Sequence, residues 1–204
     1  MIKSFQIKRV EVKEIKELIE TLHYSHNING LKLSYCFGLY DNDKLIGGII
    51  YGGLAMRNAY KKYVEKEEDI IELRRLVCID DTPRNTESYF IGRTLRWLKQ
   101  NTEIKKVVSY ADSYYGHSGI IYKASNFKLI GKTTAGKMIK YNNKLYHDKT
   151  IRTTYTNKNG EKKLKPFAER VKNALLNKEA EYITTGTKNI YLFQLRRTDD
   201  NNKR

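Results

Sequence analysis

"KKVVSYADSYYGHSGIIYKASNF", residues 105–127, is the stretch on which the fold turns. It opens on an apolar run without the in-out alternation of a half-exposed strand, the pattern of a parallel strand covered on both faces. Asp112 stands at the tip of that run. A loop rich in Tyr and Gly follows, then a short helix over 116–126 carrying Tyr122, then a strand, "FKLIGK" (127–132). A buried strand, a helix and a further strand place the chain among α/β sheets with helices packed on them. In such sheets ligands collect where strands end and helices begin. Asp112 and Tyr122, ten residues apart across one such junction, are therefore candidates for chemistry. The carboxylate either caps the next turn or serves as a base or orienter. The phenol either donates a proton to a leaving group or packs in the core.

Working outward, "FQIKRVEV" (5–12) alternates as a strand does. "KEIKELIETLHY" (13–24) sets Ile15, Leu18, Ile19 and Leu22 on one helical face. "LSYCFGLYD" (33–41) and "KLIGGIIYGG" (44–53), joined by Asn-Asp-Lys, read as a hairpin. Residues 55–69 are charged and fit either an amphipathic excursion or a long loop. "IIELRRLVCI" (70–79) is a strand, Pro83 stops it, and Asn85 or Thr86 can cap a helix whose apolar stripe is Phe90, Ile91, Leu95 and Leu98. Beyond 132, "KMIKYNNKLYH" predicts a hairpin, 165–182 a basic amphipathic helix and 189–197 a last strand. The expected fold class is α/β (α+β): a central mixed, twisted sheet flanked by helices. The expected division is a core over 1–133 and a basic portion over 134–204 that completes the sheet.

Charge points to a partner. The chain carries +16, and residues 132–204 alone hold 18 basic against 7 acidic residues, a net of +11. That excess exceeds what solubility asks for and is the footprint of a nucleic-acid binder, since phosphate neutralisation dominates such affinity. Lys132, Lys137, Lys140, Lys144, Lys149 and Arg152 are candidate phosphate contacts. So are Lys162, Lys163, Lys165, Arg170 and Lys172. A merely basic surface is the competing reading. No apolar run approaches the roughly 18 residues of a membrane span, and the N-terminus lacks an apolar signal region. Cys36 and Cys78 lie in apolar strands with no metal-binding spacing, as buried thiols of a reducing compartment do. A soluble cytoplasmic protein is expected.

Three further groups carry potential chemistry. "CIDDTPRNTES" joins a strand to the start of a helix, where backbone N–H groups can hold an anion, although Asp80, Asp81 and Glu87 bring negative charge there. His23 and His26 stand three apart. They fit a metal site only with a third ligand, and His23 fits a base or hydrogen-bonding role near pH 7. Arg74 and Arg75 point to opposite faces of their strand, so one faces inward and needs an anionic partner, for which Glu72 is placed.

The order of elements resembles the GNAT acyltransferase superfamily. The segments "HYSHN", "ELRRLVCIDDTPRNTESYFIGRTLRWLK", "VVSYADSYYGHSGIIYKASNF" and "LIGKT" together look like the Mom family of bacteriophage DNA-modification proteins, over roughly residues 10–133. That resemblance implies transfer of a carbamoylmethyl group to the exocyclic N6 of adenine in double-stranded DNA, shielding phage DNA from host restriction. It also implies base flipping, a cytoplasmic location in the bacterial host, and functional roles for His23, Arg74, Ser88, Asp112 and Tyr122. Arg74, Arg75, Arg84, Asn85, Thr86 and Ser88 would then face the donor. The superfamily's Gln/Arg-x-x-Gly-x-Gly/Ala cofactor loop is replaced by "DDTPRNTES", so an acetyl-CoA-like donor would be held atypically. Iron is a second implied cofactor, with His23 and Asp112 as conceivable ligands. Two other readings compete, the first weakened by the missing cofactor loop and the second accounting for the charge but not for His23, Arg74, Ser88, Asp112 and Tyr122 together. One is a GNAT-like N-acetyltransferase of RNA or a protein amine. The other is a non-catalytic DNA-binding anti-restriction protein.

Overall fold

The computed structural model describes residues 4–56 and 58–196. These described residues form two compact units, the first drawn from 4–111, 115–132 and 189–196, the second from 112–114 and 133–188. The sequence places its boundary at 133/134; in the structure the chain leaves the first unit after Lys132 and rejoins it at Asn189.

The first unit is a seven-stranded sheet. Its strands are β1 (Gln6–Arg9), β2 (Leu33–Asp41), β3 (Lys44–Gly52), β4 (Ile70–Cys78), β5 (Lys106–Asp112), β6 (Lys128–Lys132) and β12 (Lys188–Gln194). They lie in the order β1-β2-β3-β4-β5-β12-β6. β1 to β4 form an antiparallel meander. Strand alternation sends Cys36, Ile50 and Val77 to one face, where α1 (Val12–Leu22) covers them with Ile15 and Ile19. Phe37, Leu39, Tyr51 and Leu73 go to the other face, where α2 (Thr86–Asn101) covers them with Phe90, Ile91, Leu95 and Leu98. The ambiguous 55–69 segment includes two short 3-10 turns, Ala59–Lys62 and Glu67–Asp69. Its Ala59, Tyr60, Tyr63 and Val64 pack near Leu54, Ile70 and Val108.

Two features of this sheet open a site. The parallel pairing of β4 with β5 runs only from Ile70–Lys106 to Glu72–Val108, although β4 continues to Cys78 and β5 to Asp112. Past Glu72 the two strands part, and Ser109 Oγ, 3.2 Å from the Leu73 carbonyl, is a side-chain bridge across the gap. On its other edge β4 slips register against β3: Arg75 faces Ile50 and Leu73 faces Tyr51, leaving Arg74 as the extra residue of a bulge.

In the second unit, β7 (Lys137–Tyr141), β8 (Lys144–His147) and β11 (Ala180–Thr184) form a sheet in the order β11-β7-β8. β9 (Thr154–Thr156) and β10 (Lys162–Leu164) pair separately. α4 (Pro166–Leu176) supplies Val171 and Ala174 to a small core with Ile139 and Ala180. Here two sequence expectations are corrected. The helix expected over 165–182 ends at Leu176, because Lys178 turns with φ 62° and Ala180–Thr184 pairs with β7. The helix expected over 116–126 shrinks to α3 (Ile120–Ala124), because Gly116 and Gly119 hold positive φ ahead of it. Cys36 is buried, whereas Cys78 is only partly so; both are free thiols.

Candidate functional site

The site takes shape where β4 and β5 part. His23 is the residue at which α1 stops, its φ and ψ already extended. The backbone N–H of Ser25 donates to His23 Nδ1 at 3.1 Å, and Ser25 Oγ lies 2.8 Å from the same nitrogen. An accepting Nδ1 fixes the neutral ring with its proton on Nε2, so the imidazole offers a donor. Burial, reinforced by the positive charge of Arg75 and by His117 and His26, pulls its pKa down to about 3. His23 is therefore a neutral hydrogen-bond donor throughout the physiological range.

Rings gather beside it. Tyr24 lies 4.2 Å from the His23 ring, 4.4 Å from Tyr115 and 4.9 Å from His117, centroid to centroid. Arg75 anchors the loop beyond: its Nε and Nη2 each donate to the Asn27 carbonyl at 3.2 Å. Sequence reasoning quoted "HYSHN" but singled out only its two histidines. Tyr24 is the residue it missed, since a tyrosine between two histidines gives no periodic or spacing signal.

Tyr122 is buried in α3. Gly119 makes this possible: it caps the helix at φ 80°, and a Cβ there would come within 2.3 Å of the Tyr191 ring. That ring stacks 5.3 Å from Tyr122, while its hydroxyl donates to the Ser118 carbonyl at 2.9 Å. Burial pushes the Tyr122 phenol up to about 12, the Ser109 hydroxyl lowers it in part, and Tyr24 and Glu72 raise it further. At neutral pH the phenol keeps its proton.

Glu72, the last β4 residue paired to β5, is also buried. Arg74 Nη1 donates to its carboxylate at 2.8 Å and the Ala55 N–H at 3.2 Å. Burial nevertheless holds its carboxyl above the usual range, with Arg74 offsetting part of the effect. So Arg74, expected to face the donor, has its charge matched from within, and its buried Nε has no hydrogen-bond partner among the described residues.

The α2 group sits at one helix start. Asn85 caps α2 in the left-handed region at φ 72°, Thr86 Oγ donates to the Pro83 carbonyl at 2.6 Å, and Ser88 Oγ to the Asn85 carbonyl at 3.0 Å. Arg84 is exposed. Asp112 belongs to the second unit, where its carboxylate pairs with Lys188 at 2.8 Å and accepts the Tyr114 N–H at 3.1 Å. That is the turn-capping alternative of the sequence reading. All eleven candidate phosphate contacts, from Lys132 to Lys172, are exposed.

Among the described residues there is no grouping of three or more His, Cys, Asp or Glu side chains placed to hold a metal. His23 Nδ1 and the Asp112 carboxylate are each engaged by other partners, so the residues do not fit iron. An acyl-CoA-like donor fits in part. The parted edges of β4 and β5 offer main-chain groups to an extended arm. The loop before α2 and the first turn of that helix set Asp80, Asp81 and Glu87 where a diphosphate would need positive charge.

With this geometry in hand, the sequence profile of the Mom protein family matches residues 4–203. The chain belongs to the Mom protein family. A curated relative, the methylcarbamoylase mom of Escherichia phage Mu, is 29% identical over 133 residues, 63% of this chain and 54% of that protein. The match thus spans about half the length of the relative. The fold is that of GNAT acetyltransferases. The ribosomal-protein-S18-alanine N-acetyltransferase of Escherichia coli superposes with a TM-score of 0.52 at 11% identity, covering 97% of both chains. The Arabidopsis thaliana NAA60 in complex with acetyl-CoA gives 0.52 at 8% identity, covering 93% of this chain and 98% of that one.

Proposed function

We propose that this Mom family protein is a DNA-modifying transferase that places a carbamoylmethyl group on adenine N6 in double-stranded DNA and so protects phage DNA from restriction. The observation that carries the reading is the gap between β4 and β5, flanked by a protonated Tyr122 and a neutral, donor His23 in a chain of this family.

Adenine N6 is a weak nucleophile and is paired and stacked in a duplex, so the base is extruded and held in a pocket at a cost of a few kcal/mol. The exposed rings of Tyr115 and His117, backed by Tyr24, supply stacking faces for it. The Nε2–H of His23 donates to a ring nitrogen of the base. The activated donor lies along the parted strands, with Ser88 and Arg84 at the start of α2 beside it, and with Arg75, Asn85 and Thr86 shaping the loops around it. As the N6–carbon bond forms, Tyr122 gives its proton to the leaving group. The N6 proton passes to Glu72, a carboxylate whose affinity for a proton burial has raised. Arg74 holds Glu72 in place. Asp112 is a positioning residue that fixes the turn after β5, and the exposed Lys and Arg of 132–172 contact phosphates, which position the duplex without reading sequence.

The test is nucleoside mass spectrometry of plasmid DNA from bacteria expressing the chain. A deoxyadenosine heavier by a carbamoylmethyl group, absent with Tyr122→Phe, is the expected result. Unmodified DNA from the wild type in cells that supply the donor overturns the proposal.

A further inference from the structure

A second cluster of charge lies on the first unit, on the β1 side of α2. Arg93, Arg96, Trp97 and Gln100 share one side of α2 by their i, i+3, i+4, i+7 spacing. With Arg9 of β1 they line a shallow pocket of about 350 Å³. Its walls carry three guanidinium groups and no carboxylate. Among the described residues none of the three arginines has an acidic partner within ion-pair distance.

The arginines are not equivalent to loose surface charges. The Arg9 guanidinium lies 5.4 Å from the Tyr35 ring and 5.5 Å from the Trp97 ring, a double cation–π seat. Trp97 in turn packs on Phe37 and Tyr35, with ring centroids 5.2 and 5.6 Å away. The indole is thereby occupied by protein on more than one side, which disfavours stacking of a base there. The guanidinium forks remain available, and a fork of this kind matches phosphate oxygens.

We infer that the Arg9–Arg93–Arg96 pocket is a phosphate-binding site that seats the backbone of double-stranded DNA on the first unit, separate from the lysines of the second. The inference rests on duplex DNA being the substrate. Because Arg9 is already held by aromatic rings, binding costs less ordering than it does for a free lysine. The site adds affinity without base sequence.

The experiment is fluorescence anisotropy of a labelled mixed-sequence duplex with the full chain over a range of salt. It compares the wild type, Arg93→Ala/Arg96→Ala and the charge-retaining Arg93→Lys/Arg96→Lys. Each lost phosphate contact reduces the slope of log affinity against log salt by about 0.9, so the alanine pair is expected to shrink it by about 1 to 2. Affinity at moderate salt falls about tenfold, and the lysine pair restores most of the slope. An alanine pair with wild-type slope and affinity overturns the inference. So does a lysine pair as weak as the alanine pair, since charge would then not be the cause. The same chains titrated with ADP separate the two sources of phosphate. ADP binding lost in the alanine pair while duplex binding is unchanged would assign the pocket to a small-molecule diphosphate and overturn the duplex inference. A wild-type chain that binds no duplex at any salt defeats the substrate reading itself.

Discussion

The seven-stranded unit and the smaller unit handle ionisable groups in opposite ways. In the first, His23, Glu72 and Tyr122 are buried, and burial is the largest influence on each, favouring the uncharged form. In the second, the candidate phosphate contacts from Lys137 to Lys172 stand exposed to solvent. Proton transfer needs groups whose affinities have been moved by a dry environment, whereas counterion release needs charges that water already surrounds. The contrast predicts that substitutions in the two units separate chemistry from grip.

The largest effect belongs to Tyr122→Phe. It removes one hydroxyl from a packed ring, and DNA modification is expected to fall by about 10²- to 10³-fold, as loss of a general acid does. Duplex affinity should stay within about twofold, because no phosphate contact is lost. Quantitative nucleoside mass spectrometry and anisotropy on the same preparations check both halves. A parallel fall in affinity would break the separation.

Replacing Lys162, Lys163 and Lys165 together by Ala should do the reverse. Duplex affinity is expected to drop about tenfold or more, with the salt slope reduced by up to about 3. At saturating DNA the modification rate should be close to wild type.

The His23 prediction concerns stability. Its folded pKa, about 3, lies below the ordinary 6.5. Between those values the unfolded chain binds a proton that the folded chain refuses, so stability falls as pH drops through that window. The slope from this one group is at most about 1.4 kcal/mol per pH unit. Urea melts at several pH values from neutral to mildly acidic should show a shallower dependence for His23→Gln. Equal slopes would mean that the ring is not held neutral.

The smallest effect is that of Asp112→Asn. The amide oxygen can still accept the Tyr114 N–H, and only the pair with a half-exposed Lys188 is lost, so stability should change by less than about 1 kcal/mol. Modification is expected to remain within about tenfold of wild type. A loss as large as that of Tyr122→Phe would assign the N6 proton to Asp112 rather than Glu72.

Much of this was legible in the chain. The alternation of "LSYCFGLYD" and the helical stripe of Phe90, Ile91, Leu95 and Leu98 are local periodicities, and a local period is carried by adjacent residues. Tyr122 and His23 were legible as candidates for a similar reason: each sits where one element gives way to another. The partnership of Glu72 with Arg74 followed from strand alternation as well. The short α4 was not legible, because 177–184 has helical composition and becomes strand only by pairing with β7, some forty residues earlier in the chain. Tyr24 and Glu72 as site residues were not legible either, since what marks them is a ring or a proton affinity set by distant neighbours.

The sequence by itself determined the sheet-and-helix class and the basic character, and it offered His23 and Tyr122 as candidates for chemistry, because patterning and charge are properties of composition and spacing. Only the tertiary structure decided where β4 and β5 part, which nitrogen of His23 carries its proton, that Asp112 is tied to Lys188, and that Arg9 meets Arg93 and Arg96. Each of those depends on burial and on contacts between residues far apart in the chain, and no local period records them.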